Sequence, residues 1–363
     1  MGGILLTVRK GFSLFILLVI LASSAVLYSS FDRTSLLLLL KANPMKLSLA
    51  FGLVVLVWLL DALKMKMLLQ AAGERITLIF SLQLTWVNYF GCAITPLQGG
   101  GGPFQMYMMY QKGISVGKSF AVTLVKTLFT MFILGLAVPF AFLFQAGDLP
   151  HTGWGMRSFL IYVVLFIIAI WCVVVLSLVR PNLVKRFACG LVQRLERLGF
   201  MKKERRSALF RTLIREIDAY NQNIRLFITS GAPFFSLALL LASLQMLAQL
   251  SVMPCLIWAM GFPVPYIQSV LLQALLIFLL YFVPTPGGSG VAEGGAAAVF
   301  SLFVPWELAG VLAVGWRLLL EYTGVALGAF VAIRALGWNI TEKMKKAECE
   351  VGKENECDEC LPK

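Results

Sequence analysis

The chain has 363 residues, 59% hydrophobic and 13% charged, with a mean hydropathy of +0.85. Ordinary soluble domains carry about 45–50% apolar and about 25% charged residues, so a soluble globular protein is excluded and self-satisfied helices in a bilayer are expected. The net charge of +13 has the sign of a nucleic-acid binder, but 12 basic and 4 acidic residues lie between Arg180 and Arg225, and a basic stretch between apolar spans reports orientation and an anionic lipid surface, not nucleic acid.

Arg9 and Lys10 precede an apolar stretch from Gly11 to Tyr28. The small residues Ala22 to Ala25 resemble a signal-peptide cleavage region, yet the many later spans favour an uncleaved first helix. A second span runs from about Leu47 to Leu69, ending in Asp61, Lys64 and Lys66, and the next apolar segment is Ile76 to Ile94. Thr95-Pro96-Leu97-Gln98 and four glycines, Gly99 to Gly102, then interrupt any helix. The piece that follows, Pro103 to Tyr110, is too short for a hydrocarbon core that takes about 20 helical residues to cross, and reads as the returning arm of a re-entrant hairpin.

Full spans are expected at about Lys118 to Phe144 and Phe159 to Val179, separated by a loop with Asp148, His151 and Arg157. In the basic stretch after them, Leu191, Leu195 and Leu198 alternate with Arg194, Glu196 and Arg197, a pattern for amphipathic helices on the membrane surface. Another span covers Ala232 to Met260, and Pro263 and Pro265 turn the chain into a segment from Tyr266 to Val283. That segment also ends in a glycine-rich break, Pro284 to Gly290, followed by the short stretch Val291 to Phe303, so a second re-entrant hairpin is expected before the last span, about Trp306 to Ala335.

The predicted fold is therefore all-α and polytopic, with about six transmembrane helices and two broken-helix hairpins. Placing Arg9, Lys10, the 180–230 segment and the Lys343 to Lys346 cluster in the cytoplasm satisfies the positive-inside rule. Both termini are then cytoplasmic, the protein is a multi-pass protein of the cytoplasmic (inner) membrane, and the hairpins enter from opposite sides. The halves, about 1–145 and 158–336, share spaced features: Tyr89-Phe90 before Thr95-Pro96 is matched by Tyr281-Phe282 before Thr285-Pro286, and Lys126 by Arg317, at offsets of 190 to 192 residues. Inverted repeats whose broken helices meet near the midplane are a common transporter architecture.

Few charges fall within the apolar spans. Glu293 and Glu321 are the candidate acids and Lys126 and Arg317 the candidate cations. A lone charge in hydrocarbon costs at least about 2.5–3.5 kcal/mol, so these groups should face one another or a wet cavity. A structural reading has Arg317 and Glu321, four apart on one helix face, neutralising each other, and Glu293 satisfying amides at the start of a short helix. A functional reading sets Lys126 and Arg317 against a lipid phosphate, with Glu293 orienting Arg317 or receiving a cationic headgroup or proton. The breaks, through Gly99, Gly100, Gly101, Gly287, Gly288 and Gly290, either offer free N–H groups to phosphate or allow close helix packing. Gln98, Gln105, Tyr107 and Tyr110 are cavity-lining or interfacial, and Asp61 with Lys64 makes a helical pair. A single histidine and an isolated Cys357-Asp-Glu-Cys360 give no basis for a metal site, and no cofactor is expected.

The run Pro286-Gly287-Gly288-Ser289-Gly290-Val291-Ala292-Glu293-Gly294, with Leu302-Phe303 and Arg317 after it, is similar to the P-x-G-G-x-G-x-x-E signature of the lysylphosphatidylglycerol synthase transmembrane region. That family is also called flippase-like, with the MprF, YbhN and AglD groups. The resemblance covers roughly residues 10 to 336; Thr95 to Gln105 is a looser match, with glycines where many relatives carry a charged residue nearby. It implies a membrane domain that translocates an aminoacylated phospholipid made by a separate soluble acyltransferase domain, and other relatives are associated with polyprenyl-linked sugars. The charged tail, 337–363, is too short for an acyltransferase, so the expectation is a translocase of an anionic, aminoacylated or polyprenyl-phosphate-linked lipid, not an enzyme. A membrane-embedded transferase adding an aminoacyl or glycosyl group to a lipid is the alternative, and a separate lipid-modifying enzyme is a candidate partner through the basic segment.

Overall fold

Every regular element among the described residues is a helix or a helical turn. The computed structural model describes residues 2–30, 42–145 and 232–335. The expected span at 159–179, the basic segment 180–230, the loop with His151 and the tail 337–363 lie outside them.

Helix α1 is Gly2–Ser30. Helix α2, Pro44–Ala71, starts where a polar cap meets an apolar run: the Asn43 side chain accepts from the N–H groups of Met45 and Lys46, and Pro44 occupies the first turn, where its missing N–H costs nothing. Helix α3, Leu78–Ile94, is capped by the Thr77 hydroxyl, which accepts from Phe80 N. It stops at Thr95, held extended as expected of a residue before proline. A 3-10 turn, Pro96–Gln98, leads into the short helix α4, Gly101–Gln111, and then into α5, Val116–Gln145.

The second half repeats this order. Helices α6, Ala232–Leu250, and α7, Val252–Ala259, form one near-continuous rod jogged at Ser251, where Pro254 removes an N–H from the ladder and the Ser251 hydroxyl donates to Leu247 O. Helix α8, Tyr266–Leu280, a 3-10 turn, Pro286–Gly288, and the short helix α9, Val291–Phe300, make the second broken segment. Helix α10 starts as Trp306–Arg317, passes through a π turn, Leu318–Tyr322, and continues to Ala335.

Among the described residues four rods are long and apolar enough to cross a membrane: Pro44–Ala71, Val116–Ala137, Ala232–Ala259 and Trp306–Ala335. At 1.5 Å per residue, 28 residues extend about 42 Å, whereas the 11 residues of α4 and 10 of α9 extend only about 15–17 Å, half of a hydrocarbon core. Helix α6 lies along α2, α8 along α5, and α9 along α10, while α1 covers α10 and α3. Two apolar clusters hold the halves, one around Met65, Leu84, Phe90 and Met109, the other around Trp58, Met253, Phe300 and Leu312.

The two breaks meet. Leu97 N donates to Val283 O at 3.3 Å, and the 3-10 turns pack against each other with α1 beside them. They also share a backbone shape: Leu97 (φ 56) and Gln98 (φ 53) in the first match Gly287 (φ 61) and Gly288 (φ 68) in the second, at an offset of 190 residues. One expectation is corrected here. Asp61 and Lys64 do not mark the end of the second span, because α2 continues to Ala71 and both side chains are buried inside it.

Candidate functional site: a cavity where the helix breaks meet

The glycines of the first break are there for contact between helices. The Gly100 N–H donates to Thr95 Oγ1 at 2.7 Å, and that hydroxyl donates to Gly91 O at 2.8 Å. A Cβ on Gly100 would lie 2.5 Å from Gly91 O, and one on Gly101 would lie 2.4 Å from Asn88 Oδ1. No side chain fits between α3 and α4 at that point. Gln105, buried on α4, donates to Leu84 O at 2.9 Å and fastens the short helix to α3. In the second break, Gly288 N donates to Thr285 O and Gly290 N to Glu293 Oε2 at 2.7 Å. The N–H groups of Gly99, Gly100, Gly288 and Gly290 are thus all spent within the chain, and the expectation that these loops offer them to a phosphate is corrected for those four.

Each half buries a charged triad. In the first, Asp61 on α2 takes Lys64 Nζ at 2.7 Å, Lys126 Nζ from α5 at 3.2 Å and the Thr85 hydroxyl from α3 at 2.8 Å. Lys64 also donates to Gln245 Oε1 on α6 at 2.9 Å. One acid therefore stands between two cations. In the second, Arg317 on α10 stands between two acids: its Nε meets Glu293 Oε1 at 3.4 Å and its Nη1 pairs with Glu321. Arg317 Nη2 donates to Gly287 O at 2.5 Å, and the Tyr322 hydroxyl donates to Glu293 Oε1 at 2.5 Å. The guanidinium meets its three partners through three separate nitrogens, Nε, Nη1 and Nη2. The π turn brings Arg317, Glu321 and Tyr322 to the same side.

Between the triads lies a cavity of about 630 Å³. Asp61, Lys64 and Lys126 form one wall, and Glu321 with Tyr89 and Tyr281 another. The breaks contribute Gln98, Gly99 and Gly287, and Gln105 lines it from α4. Gln245 and Gln249, whose side chains are bonded at 2.9 Å, continue the polar surface along α6. Of the expected site residues, Lys126, Glu321, Gly99, Gln105 and Gly287 line the cavity, whereas Gly100, Gly101, Gly288, Gly290, Glu293 and Arg317 stand outside its lining. Glu293 and Arg317 are 0% exposed, and Lys126 is 8% exposed. Lys126 shares the cavity lining with Lys64, and Arg317 is held behind the surface by Glu293, Glu321 and Gly287 O. Tyr107 and Tyr110 are exposed and outside the lining.

Asp61, Lys64, Asn88, Gln245 and Gln249 were not among the expected site residues. The usable signals were Gln245 and Gln249 four apart in an otherwise apolar run, and Lys64 one turn after Asp61.

The model of the lysylphosphatidylglycerol synthase TM region matches residues 11–328, which include both breaks, both triads and every lining residue of the cavity. A UPF0104 membrane protein of Archaeoglobus fulgidus is 30% identical to this chain over 291 residues, covering 80% of this chain and 86% of the relative. With helices of membrane-crossing length on either side of two broken segments, the chain belongs to the lysylphosphatidylglycerol synthase transmembrane-region family of polytopic membrane proteins.

Proposed function

We propose that the protein translocates a lipid with an anionic or aminoacylated phosphate headgroup, or a polyprenyl-phosphate-linked lipid, across the cytoplasmic membrane. The observation that carries this reading is the cavity at the meeting of the two helix breaks, with two lysines and one aspartate on its first wall. Glu321 balances the charge of the lining as a whole, but around Asp61 an anion meets two cations to one acid, in a region of low dielectric where attraction is strong and screening weak. Lys64 and Lys126 hold the phosphate, Glu321 and the tyrosines face the remainder of the headgroup, and the tails stay in the bilayer. Broken helices meeting at a binding site are how many transporters create polar surface at midplane depth, and the family resemblance supports the same lipid class. On this reading both termini are cytoplasmic, the hairpins enter from opposite faces, and their tips meet at the central cavity.

The test is headgroup movement in reconstituted vesicles, using labelled phosphatidylglycerol, an aminoacylated phosphatidylglycerol and a polyprenyl-phosphate sugar as separate probes. At least one is expected to equilibrate faster than in protein-free vesicles, and Lys126→Ala should slow it about tenfold, the equivalent of one charge-assisted contact of about 1.4 kcal/mol. No movement with any of the three probes overturns the reading. Covalent lipid product formed from a labelled aminoacyl or sugar donor would instead establish a membrane-embedded transferase.

A further inference from the structure

A second cavity, away from the breaks, lies at one end of the helical bundle between α2, α7 and the start of α8. It has a volume of about 820 Å³. Leu49, Leu53, Pro254, Trp258, Phe262 and Val264 make its walls apolar, and Lys46 is the one charged residue in its lining. The groove is fixed in shape: Asn43 N donates to Ala259 O at 2.9 Å, and Cys255 Sγ donates to Lys46 O, so the first turn of α2 is tied to the last turns of α7. Lys46 Nζ lies 4.1 Å from the Trp258 ring centroid and donates to Trp258 O at 3.3 Å. Two further N–H donors of that ammonium are available to a ligand. At the floor, the hydroxyls of Ser251 and Tyr266 lie 2.7 Å apart and satisfy one another, so nothing deep in the groove asks for a polar partner.

The location narrows the occupant. Lys46 is in the first turn of a 28-residue span, and Trp258 is one residue from the end of another that runs beside it in the opposite sense. Lys and Trp at such positions sit at the membrane–water boundary, where lipid phosphates are. Ser251, eight residues before Ala259, lies about 12 Å deeper along the helix. The groove therefore runs from phosphate depth into acyl-chain depth, cationic at the top and apolar below, and Leu49, Trp258 and Tyr266 are each about half exposed along it. A soluble anion would use only its mouth, and an uncharged amphiphile would leave Lys46 unmatched.

We propose that this groove is a binding site for one glycerophospholipid of the adjoining leaflet, its phosphate on Lys46 and one acyl chain along Leu49, Leu53 and Trp258. The site is independent of the central cavity, and its occupation does not depend on transport. The experiment uses the full chain in lipid nanodiscs with phosphatidylglycerol carrying a photoreactive group in one acyl chain, and maps the labelled peptides by mass spectrometry. Label is expected on the peptides containing Leu49–Leu53 and Pro254–Trp258. It should fall about fivefold in Lys46→Gln, since one basic side chain near anionic lipid contributes about 1 kcal/mol, and similarly in Leu53→Trp, which fills the groove and leaves the charge. Lys46→Arg should retain it. The unaltered chain provides a control free of folding effects: photoreactive diacylglycerol, which lacks the phosphate, should label these peptides about fivefold less than the phospholipid does. Equal labelling by the two probes, or labelling indifferent to Lys46→Gln and Leu53→Trp, overturns the proposal and leaves only unspecific boundary lipid. Displacement of the label by soluble glycerol phosphate also overturns it, in favour of a site for a free anion.

Discussion

The two buried triads are built from the same three-charge logic with the signs reversed. In the first half an acid, Asp61, lies between Lys64 and Lys126; in the second a cation, Arg317, lies between Glu293 and Glu321. The difference lies in what the central residue touches. Asp61 bonds only side chains and leaves both lysines on the cavity wall. Arg317 reaches backbone, accepting the role of a clasp: from α10 it holds Gly287 O directly, and it also pairs with Glu293, the α9 residue that holds Gly290 N. Residues at matching places in the two halves, Lys126 and Arg317, thus do different work, one presenting charge and the other shaping a loop. Charge inside a membrane is not by itself a sign of ligand contact, and the partner that is backbone rather than side chain marks the structural member.

That division is breakable by mutation. The largest effect is expected from Arg317→Met, which strands Glu293 and Glu321 without a cation; removing one partner of a buried ion pair costs about 3–5 kcal/mol. The thermal transition of the purified protein should collapse. Lys126→Met, by contrast, leaves Asp61 paired with Lys64, so stability should change by no more than about 1 kcal/mol while transport falls. Equal destabilisation by the two changes would erase the distinction. A smaller effect is expected from Glu293→Gln, which can still accept from Gly290 N and Tyr322 but loses the charge facing Arg317, at about 1–3 kcal/mol, read as a lowered thermal midpoint.

The smallest effects test the breaks themselves. Both use two left-handed residues, but the first places Leu97 and Gln98 there and the second Gly287 and Gly288. A left-handed conformation costs a non-glycine residue about 1–2 kcal/mol. Gly287→Ala should cost about that much and more, because the added Cβ would lie 2.8 Å from the Phe15 ring. Leu97→Gly relieves strain but adds unfolded-state freedom, so its stability should stay within about 0.5 kcal/mol of the parent. A differential melting series of the two variants checks both.

Much of this architecture was legible because proline and glycine punctuate apolar runs in a way that admits few readings. Thr95-Pro96 and Thr285-Pro286 announced the breaks, and the short apolar runs after them announced the short helices α4 and α9. Glu293, Arg317 and Glu321 were visible as charges out of place, and Glu293 does satisfy the start of its helix while Arg317 does pair with Glu321. What stayed hidden depended on which helices are neighbours. Asp61 and Lys64 look like the polar end of a span when only their own helix is in view; Thr85, Lys126 and Gln245, from three other helices, are what bury them. The same holds for Arg317: its length reaches Gly287 O only because α9 and the second 3-10 turn lie against α10. Periodicity carries helix existence, but a side chain of five or six atoms reaches whichever partner the packing supplies.

The π turn at Leu318–Tyr322 sets the phase of everything after it. In an ordinary helix, residues five apart point about 140° from each other, and Tyr322 would turn away from the acid that Arg317 grips. The wider turn inserts one extra residue into the rotation and carries Tyr322 back toward Glu293. Were residues 318–322 wound as regular α-helix with none of them lost, the rest of α10 would rotate by about 100°. Gly328, whose Cα passes so near Trp86 O that no side chain fits, would then face elsewhere and a bulkier residue would meet α3. One surplus residue in a helix thus keeps both the clasp on the second break and the crossing with the first broken segment in register.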